Sequence, residues 1–248
     1  MAQPTTVELL WGTRQRPKRG PKPALTLEGI VAEAVAIADA DGLAELSMQR
    51  LAQGLGFTKM SLYRYVPGKA ELTALMLDSA LGAPPDIAAV DRDPADEPWR
   101  VGLRRWCESL YERFSAHPWA LELAVGARPV GPNEMAWMEV ALLDLADSGL
   151  TTSERLDTIA MLAGHARGLA QQVLAAGPQD FQDSIAAQLA EMREAAAQRY
   201  PVASAAFAEA GAAAGGDGAL SFGIDRILDG LGVHIARRRD ARRPIVGA

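Results

Sequence analysis

The sequence predicts an all-α protein in two regions, a small N-terminal one and a larger C-terminal one, and three observations support this. Apolar residues recur at helical spacing through almost the whole chain, and no stretch alternates as a strand would. The segment "GAPPDIAAVDRDPADEP", residues 82–98, is rich in proline and acid and divides the pattern. Between Ser47 and Leu72, "SMQRLAQGLGFTKMSLYRYVPGKAEL" places two short helical patterns around one glycine.

Taken in order, residues 1–24 contain four prolines and no hydrophobic periodicity, so they are expected to form a disordered basic arm. Thr26 is a fitting N-cap for a helix whose apolar face is Leu27, Ile30, Val31, Ala34, Ile37 and Ala38, ended by Gly42. Ser47 caps a second helix, a third spans about 58–65, and Pro67-Gly68 precedes a fourth with Leu72, Leu75 and Met76 on one face. This first domain covers 25–81, and 82–98 is a linker. The second region, 99–248, opens with the stripe Trp99, Leu103, Trp106, Leu110, Phe114, closed by His117-Pro118. A short piece covers 119–125, and Met135, Met138, Leu142 and Leu145 form another stripe ending at Gly149. Thr151 with Glu154 makes a capping box for a helix reaching Ala176, and Asp180 can cap the next, to about Arg199. "GAAAGGDG" (211–218) is a loop, and a last helix covers about 220–238.

Composition narrows the function classes. Of 248 residues, 49% are hydrophobic and 23% charged, the balance of an ordinary globular protein. No apolar run approaches the roughly 18–20 residues of a membrane span. One cysteine, Cys107, excludes an internal disulfide framework and fits a reducing cytoplasm; on a helix it reads as a small hydrophobe. The net charge of −6 is unevenly spread: residues 1–83 hold 9 Lys and Arg against 8 Asp and Glu, the rest 16 against 23. "TRQRPKRGPKP" (13–23) has five basic residues and no acid, so a polyanion would meet the N-terminal third. There is no Gly-rich phosphate loop, no histidine pair at metal spacing and no strand for a nucleophile elbow, so neither catalysis, nor a cofactor, nor a metal is expected.

The run 47–72 follows the packing rules of a helix-turn-helix. Two helices joined by a short turn cross steeply only where the contact is small, and Ala52 supplies that contact. Gly56, four residues on, can take the left-handed conformation that redirects the chain, while Leu51, Leu55 and Leu62 lock the pair from inside. The exposed side of the second helix then becomes a candidate nucleic-acid reader. Thr58 begins it, where a hydroxyl and free amides can hold a phosphate. Lys59, Met60 and Ser61 project from its first turn, with Lys59 suited to guanine and Met60 to a thymine methyl. Tyr63 stands at the height of a phosphate, Lys69 can add a charge, and Tyr65 is either a further contact or a half-buried helix residue.

These residues, preceded by "LEGIVAEAVAIADADGLAEL", resemble the DNA-binding domain of the TetR family of bacterial repressors. The likeness rests on the Leu-Ala…Leu-Gly turn and on Leu62-Tyr63 followed by Tyr65-Val66 and Lys69. "ARPVGPNEMAWMEVALLDLADSGLT" and "FGIDRILDGLGVHI" are similar to the tetracycline-repressor-like C-terminal domains of that family. The resemblance implies double-stranded operator DNA as a partner, a small-molecule effector, and a homodimer paired through helices about 151–176 and 220–238. It adds Gln49 and Arg50 as DNA contacts, and Ile224 and Ile227 are expected at the dimer face. Trp106, Leu110, Trp137, Met138 and Met161 are core residues first and effector contacts second, and His165 belongs with them as a satisfied core or interface histidine. The magnesium-bound drug of the tetracycline-binding branch is not carried over, because His117, His165 and His234 are spread over three elements. The expected function is a ligand-responsive repressor; an activator of the same fold, or a helical binding protein or enzyme with a borrowed hairpin, remain the alternatives.

Overall fold

The computed structural model describes residues 3–12, 25–87, 97–176, 197–212 and 218–241, and these contain helices and no strand. In chain order they are α1 (Thr6–Leu10), α2 (Leu27–Asp41), α3 (Met48–Leu55), α4 (Lys59–Tyr63), α5 (Lys69–Leu81), α6 (Pro98–Ala116), α7 (Ala120–Leu123), α8 (Pro132–Asp144), α9 (Thr152–Ala176), α10 (Pro201–Ala212) and α11 (Gly218–Ala241). One 3-10 turn, Leu43–Glu45, joins α2 to α3, and another, Ala146–Ser148, joins α8 to α9.

Helices α2 to α5 form the N-terminal domain around Ile30, Ala34, Leu51, Leu62, Val66, Leu72 and Met76, all buried. Each start is capped as its residue type dictates: Thr26 Oγ1 accepts from the Gly29 amide and Ser47 Oγ from that of Arg50. The C-terminal domain packs α6 against α8, α9 and α11 over Leu103, Trp106, Cys107, Ala141, Leu162, Ala166, Ile224 and Leu228. Helix α5 is shared: it closes the first domain on α2 and touches α6, α7 and α8 of the second.

Three expectations are corrected. The N-terminal arm is not without structure, since Thr5 and Glu8 make a reciprocal capping box for α1, and Leu10 is buried. Five residues would not hold a helix in water, so burial against α5 supplies the order. Trp11, just after it, donates its indole N–H to the Val130 carbonyl at 3.1 Å. The basic residues 13–24 lie outside the described residues, as does most of the helix expected over 180–199. Pro201–Ala212 is helical and so runs into the loop expected over 211–218. Ile224 is fully buried inside the protomer, so only Ile227 of the expected pair faces outward in part.

Candidate functional site

The hairpin of α3 and α4 has the geometry that its small residues allow. Gly56 sits at φ 72°, ψ 26°, and ends α3. Its amide donates to Gln53 O and the Phe57 amide to Ala52 O, the paired bonds of a Schellman motif. Ala52 and Leu62 are buried at the crossing. Thr58 caps α4, accepting from the Ser61 amide at 3.3 Å, and its hydroxyl lies 3.0 Å from that of Ser61. Lys59 and Met60 are exposed on the first turn, Met60 at 73%. Tyr63 and Gln49 are exposed beside them. Of the expected contacts, Gln49, Thr58, Lys59, Met60 and Tyr63 are thus exposed, and Ser61 is half-buried.

Three other expected contacts are engaged inside the protein. Arg50 pairs with Asp41 and reaches Glu45 at 3.5 Å, so local acids offset its charge. Lys69 donates to the Leu46 carbonyl at 2.9 Å, tying α5 to the turn before α3. An ammonium has three donors, so this bond orients Lys69 without using it up. Tyr65, just past the end of α4, is half-buried against the core.

The effector-domain residues divide into two groups. Trp106 and Trp137 meet edge to face with centroids 5.8 Å apart, and Trp106 donates to the Trp137 carbonyl at 2.9 Å. Leu110 is buried next to them on α6, and Met138 packs partly buried against the same core. Met161 does not join them. The inward face of α9 is Ile159, Leu162, Ala166 and Ala170, so helical periodicity turns Met161 outward, where it is 55% exposed. His165 donates from Nε2 to the Leu220 carbonyl at 3.1 Å, a satisfied helix–helix contact where Gly223 lets α11 approach the ring. Met161 instead lines a largely apolar groove of about 450 Å³ between α9 and α11, with Leu150, Ile227, Leu231, Glu154 and His234. Glu154 accepts from Arg238 and from His234 (2.9 Å), and these bonds with the Thr151 amide hold its carboxyl well below the usual range. Cys107 is buried, donates to Leu162 O at 3.4 Å, and desolvation pushes its thiol up to about 12.

Sequence reasoning missed the polar seam between the domains. Asp39, on α2, accepts from Trp119 Nε1 at 2.6 Å and pairs with His117 Nδ1 at 2.8 Å. Asp78, on α5, accepts from the amides of Asn133 (3.0 Å) and Glu134 (3.2 Å) and from Asn133 Nδ2 (3.1 Å). Burial raises the Asp78 pKa, against the lowering effect of those bonds. One turn further along α5, the Gly82 carbonyl accepts from Trp137 Nε1 at 2.9 Å. A helix beginning Gly-Pro-Asn with no capping side chain of its own was the one available signal.

Residues 93–235 match the family described as the tetracyclin repressor-like C-terminal domain. Over 246 residues the chain is 40% identical to the HTH-type transcriptional repressor DrrR1 of Streptomyces coeruleorubidus, covering 96% of this chain and 89% of that protein. Among solved structures it is similar to ActR of Streptomyces coelicolor in complex with (S)-DNPA, at 28% identity and TM-score 0.68, covering 85% of this chain and 98% of that one. The ActR complex with actinorhodin superimposes equally well, at 27% identity and TM-score 0.69 over 85% and 98% of the two chains.

Proposed function

The chain belongs to the TetR family and is a ligand-responsive transcriptional repressor, and we propose that it acts in the cytoplasm as a homodimer on a pseudo-palindromic operator. Regulators of this family bind operator DNA as dimers and respond to small-molecule effectors. The observation that carries the reading here is the exposed first turn of α4. Lys59 and Met60 are exposed on a turn whose own helix is pinned from behind by Leu62. In the major groove that turn reads base edges, while Thr58 and Tyr63 reach phosphates and set the register. Gln49, from α3, contacts the backbone on one side; Arg50 and Lys69 keep the hairpin in shape and lend residual charge.

The dimer forms through the outward faces of α9 and α11, where Leu156, Met161, Phe222 and Val233 are exposed. Two copies of α4 then enter successive major grooves about 34–36 Å apart. The effector is a small, mostly apolar organic molecule that enters among α6, α8 and α9, displacing the contact of Trp106 with Trp137. The solved complexes of ActR with actinorhodin and with (S)-DNPA support that class of ligand. A coupling of about 1–3 kcal/mol between the two sites changes operator affinity roughly 5–150-fold. The test is a selection of duplexes from a random pool, followed by titration with actinorhodin or (S)-DNPA as probes. Enrichment of an inverted repeat that either compound releases supports the proposal; failure to enrich any sequence overturns it.

A further inference from the structure

Helix α8 starts without a capping side chain of its own. Its N-cap is Gly131, followed by Pro132 at the first helical position, which lacks an amide hydrogen. The next two amides, of Asn133 and Glu134, are those that an N-cap Ser, Thr, Asn or Asp would accept. Here both point at a single oxygen of Asp78, at 3.0 and 3.2 Å, and Asp78 belongs to α5, 55 residues earlier in the chain. A Cβ built on Gly131 would lie 2.1 Å from that same oxygen. The carboxylate of α5 thus occupies the place where the missing side chain of α8 would be. Its second oxygen accepts from Asn133 Nδ2, and that amide group also donates to the Asp78 carbonyl at 2.9 Å.

We infer that Asp78 is a positioning residue for operator binding: by capping α8 in trans, it makes the first turn of α8 part of α5 and so holds the reading head at a fixed angle to the effector domain. The inference rests on the proposed operator-binding function. Two further features support it. Trp137 of α8 donates to Gly82 at the end of α5, so the two helices are fastened at points one turn apart. Helix α5 also carries Lys69 at its other end, bonded to the Leu46 carbonyl beside α3. A shift of α8 is transmitted along α5 to the hairpin, since the cap is lost if either helix moves alone. An in-cis cap would satisfy the same amides without a carboxylate held in common by the two helices, and this chain has glycine where such a cap would stand.

That contrast supplies the experiment. Asp78→Ala removes the trans cap; its remaining Cβ would lie 2.8 Å from one built on Gly131, so serine there, on an extended backbone (φ −88°, ψ 171°), also needs a small shift of α8 away from α5. Asp78→Ala/Gly131→Ser then restores the cap within α8 without the carboxylate's tie to α5, and leaves in place the bonds of Asn133 Nδ2 to the residue 78 carbonyl and of Trp137 to Gly82. Melting temperature and affinity for a duplex selected by the wild-type protein are measured for both variants. The single variant is expected to melt about 2–4 °C lower and to bind the duplex roughly 5-fold or more weakly. The double variant should regain the melting temperature and not the affinity. Recovery of both, or unchanged affinity in the single variant, makes Asp78 a structural cap only and overturns the inference. Should the single variant fail to fold, Asn133→Ala, which removes only the side-chain half of the tie, is expected to weaken duplex binding with little loss of melting temperature; equal loss of both overturns the inference. A wild-type protein that selects no duplex overturns the functional reading itself, a separate result.

Discussion

The carboxylate of Asp39 and the indole of Trp119 meet at 2.6 Å across the seam between the two domains, and the same carboxylate oxygen pairs with His117 at 2.8 Å. One side chain of α2 thereby receives both donors offered by the turn between α6 and α7. Replacing Asp39 by alanine leaves the Trp119 N–H, on a residue only 3% exposed, without its partner. The expected loss is about 1–3 kcal/mol, or about 2–4 °C of melting temperature per kcal/mol for a chain of this size. Asp39→Asn retains an acceptor oxygen and is expected to lose less. Differential scanning calorimetry of the two variants checks the order.

The dimer proposal is tested by charge. Val233 and Phe222 are 53% and 64% exposed on α11, so Val233→Asp or Phe222→Asp is expected to leave a folded monomer in sedimentation velocity. Ile224→Asp is expected to unfold the protomer instead, because Ile224 is fully buried. A dimer that persists with both exposed-face variants would place the interface elsewhere.

Glu154 provides a pH dependence with a definite sign. Hydrogen bonds from Arg238, the Thr151 amide and His234 hold its folded pKa below the ordinary 4.5, so the fold prefers the ionised form. That contribution is complete above about 4.5 and is lost as pH falls towards the folded value. Glu154→Gln is therefore expected to melt below the parent at pH 7, and the gap should narrow on acidification below about 4.5. A gap that stays constant would remove the ion pairs from the account of how α9 and α11 are joined.

Cys107 is expected to be inert in the folded state. Burial pushes its thiol up to about 12, so almost no thiolate exists at pH 8 and the sulfur is out of reach of solvent. A disulfide-exchange reagent at pH 8 should leave the native protein unlabelled and label one thiol per chain in denaturant. Labelling of the native protein at a rate near that of the unfolded chain would contradict the buried setting.

How much of this was legible in the sequence follows the range of each interaction. Thr26, Ser47, Thr58 and Gly56 act on backbone groups within a few residues, and the helix starts and the hairpin were read correctly from them. The inward stripe Trp99–Phe114 was equally plain, since burial repeats at the period of the helix. Helix α1 was missed because five residues between prolines carry too little periodicity, and its order comes from α5. Met161 lines the groove between α9 and α11 and stands apart from Trp106 and Trp137, because α9 carries apolar residues on two sides, one for its own core and one exposed, and composition does not separate them. The seam was invisible for a different reason: Asp39 and Asp78 find their donors 80 and 55 residues away, and only the fold brings them together. The bare start of α8 was a clue, because a helix without a cap of its own needs a donor's partner from elsewhere.

The central claim, that the leading turn of α4 reads duplex DNA, is tested most directly by repeating the duplex selection with Lys59→Ala, Met60→Ala and Tyr63→Phe. The first two are expected to change which bases are enriched at their positions in each half-site, by roughly 1–3 kcal/mol of lost discrimination. Tyr63→Phe should weaken binding to every sequence alike. If all three variants enrich the wild-type sequence and differ only in overall affinity, the reading turn lies elsewhere and the account is wrong.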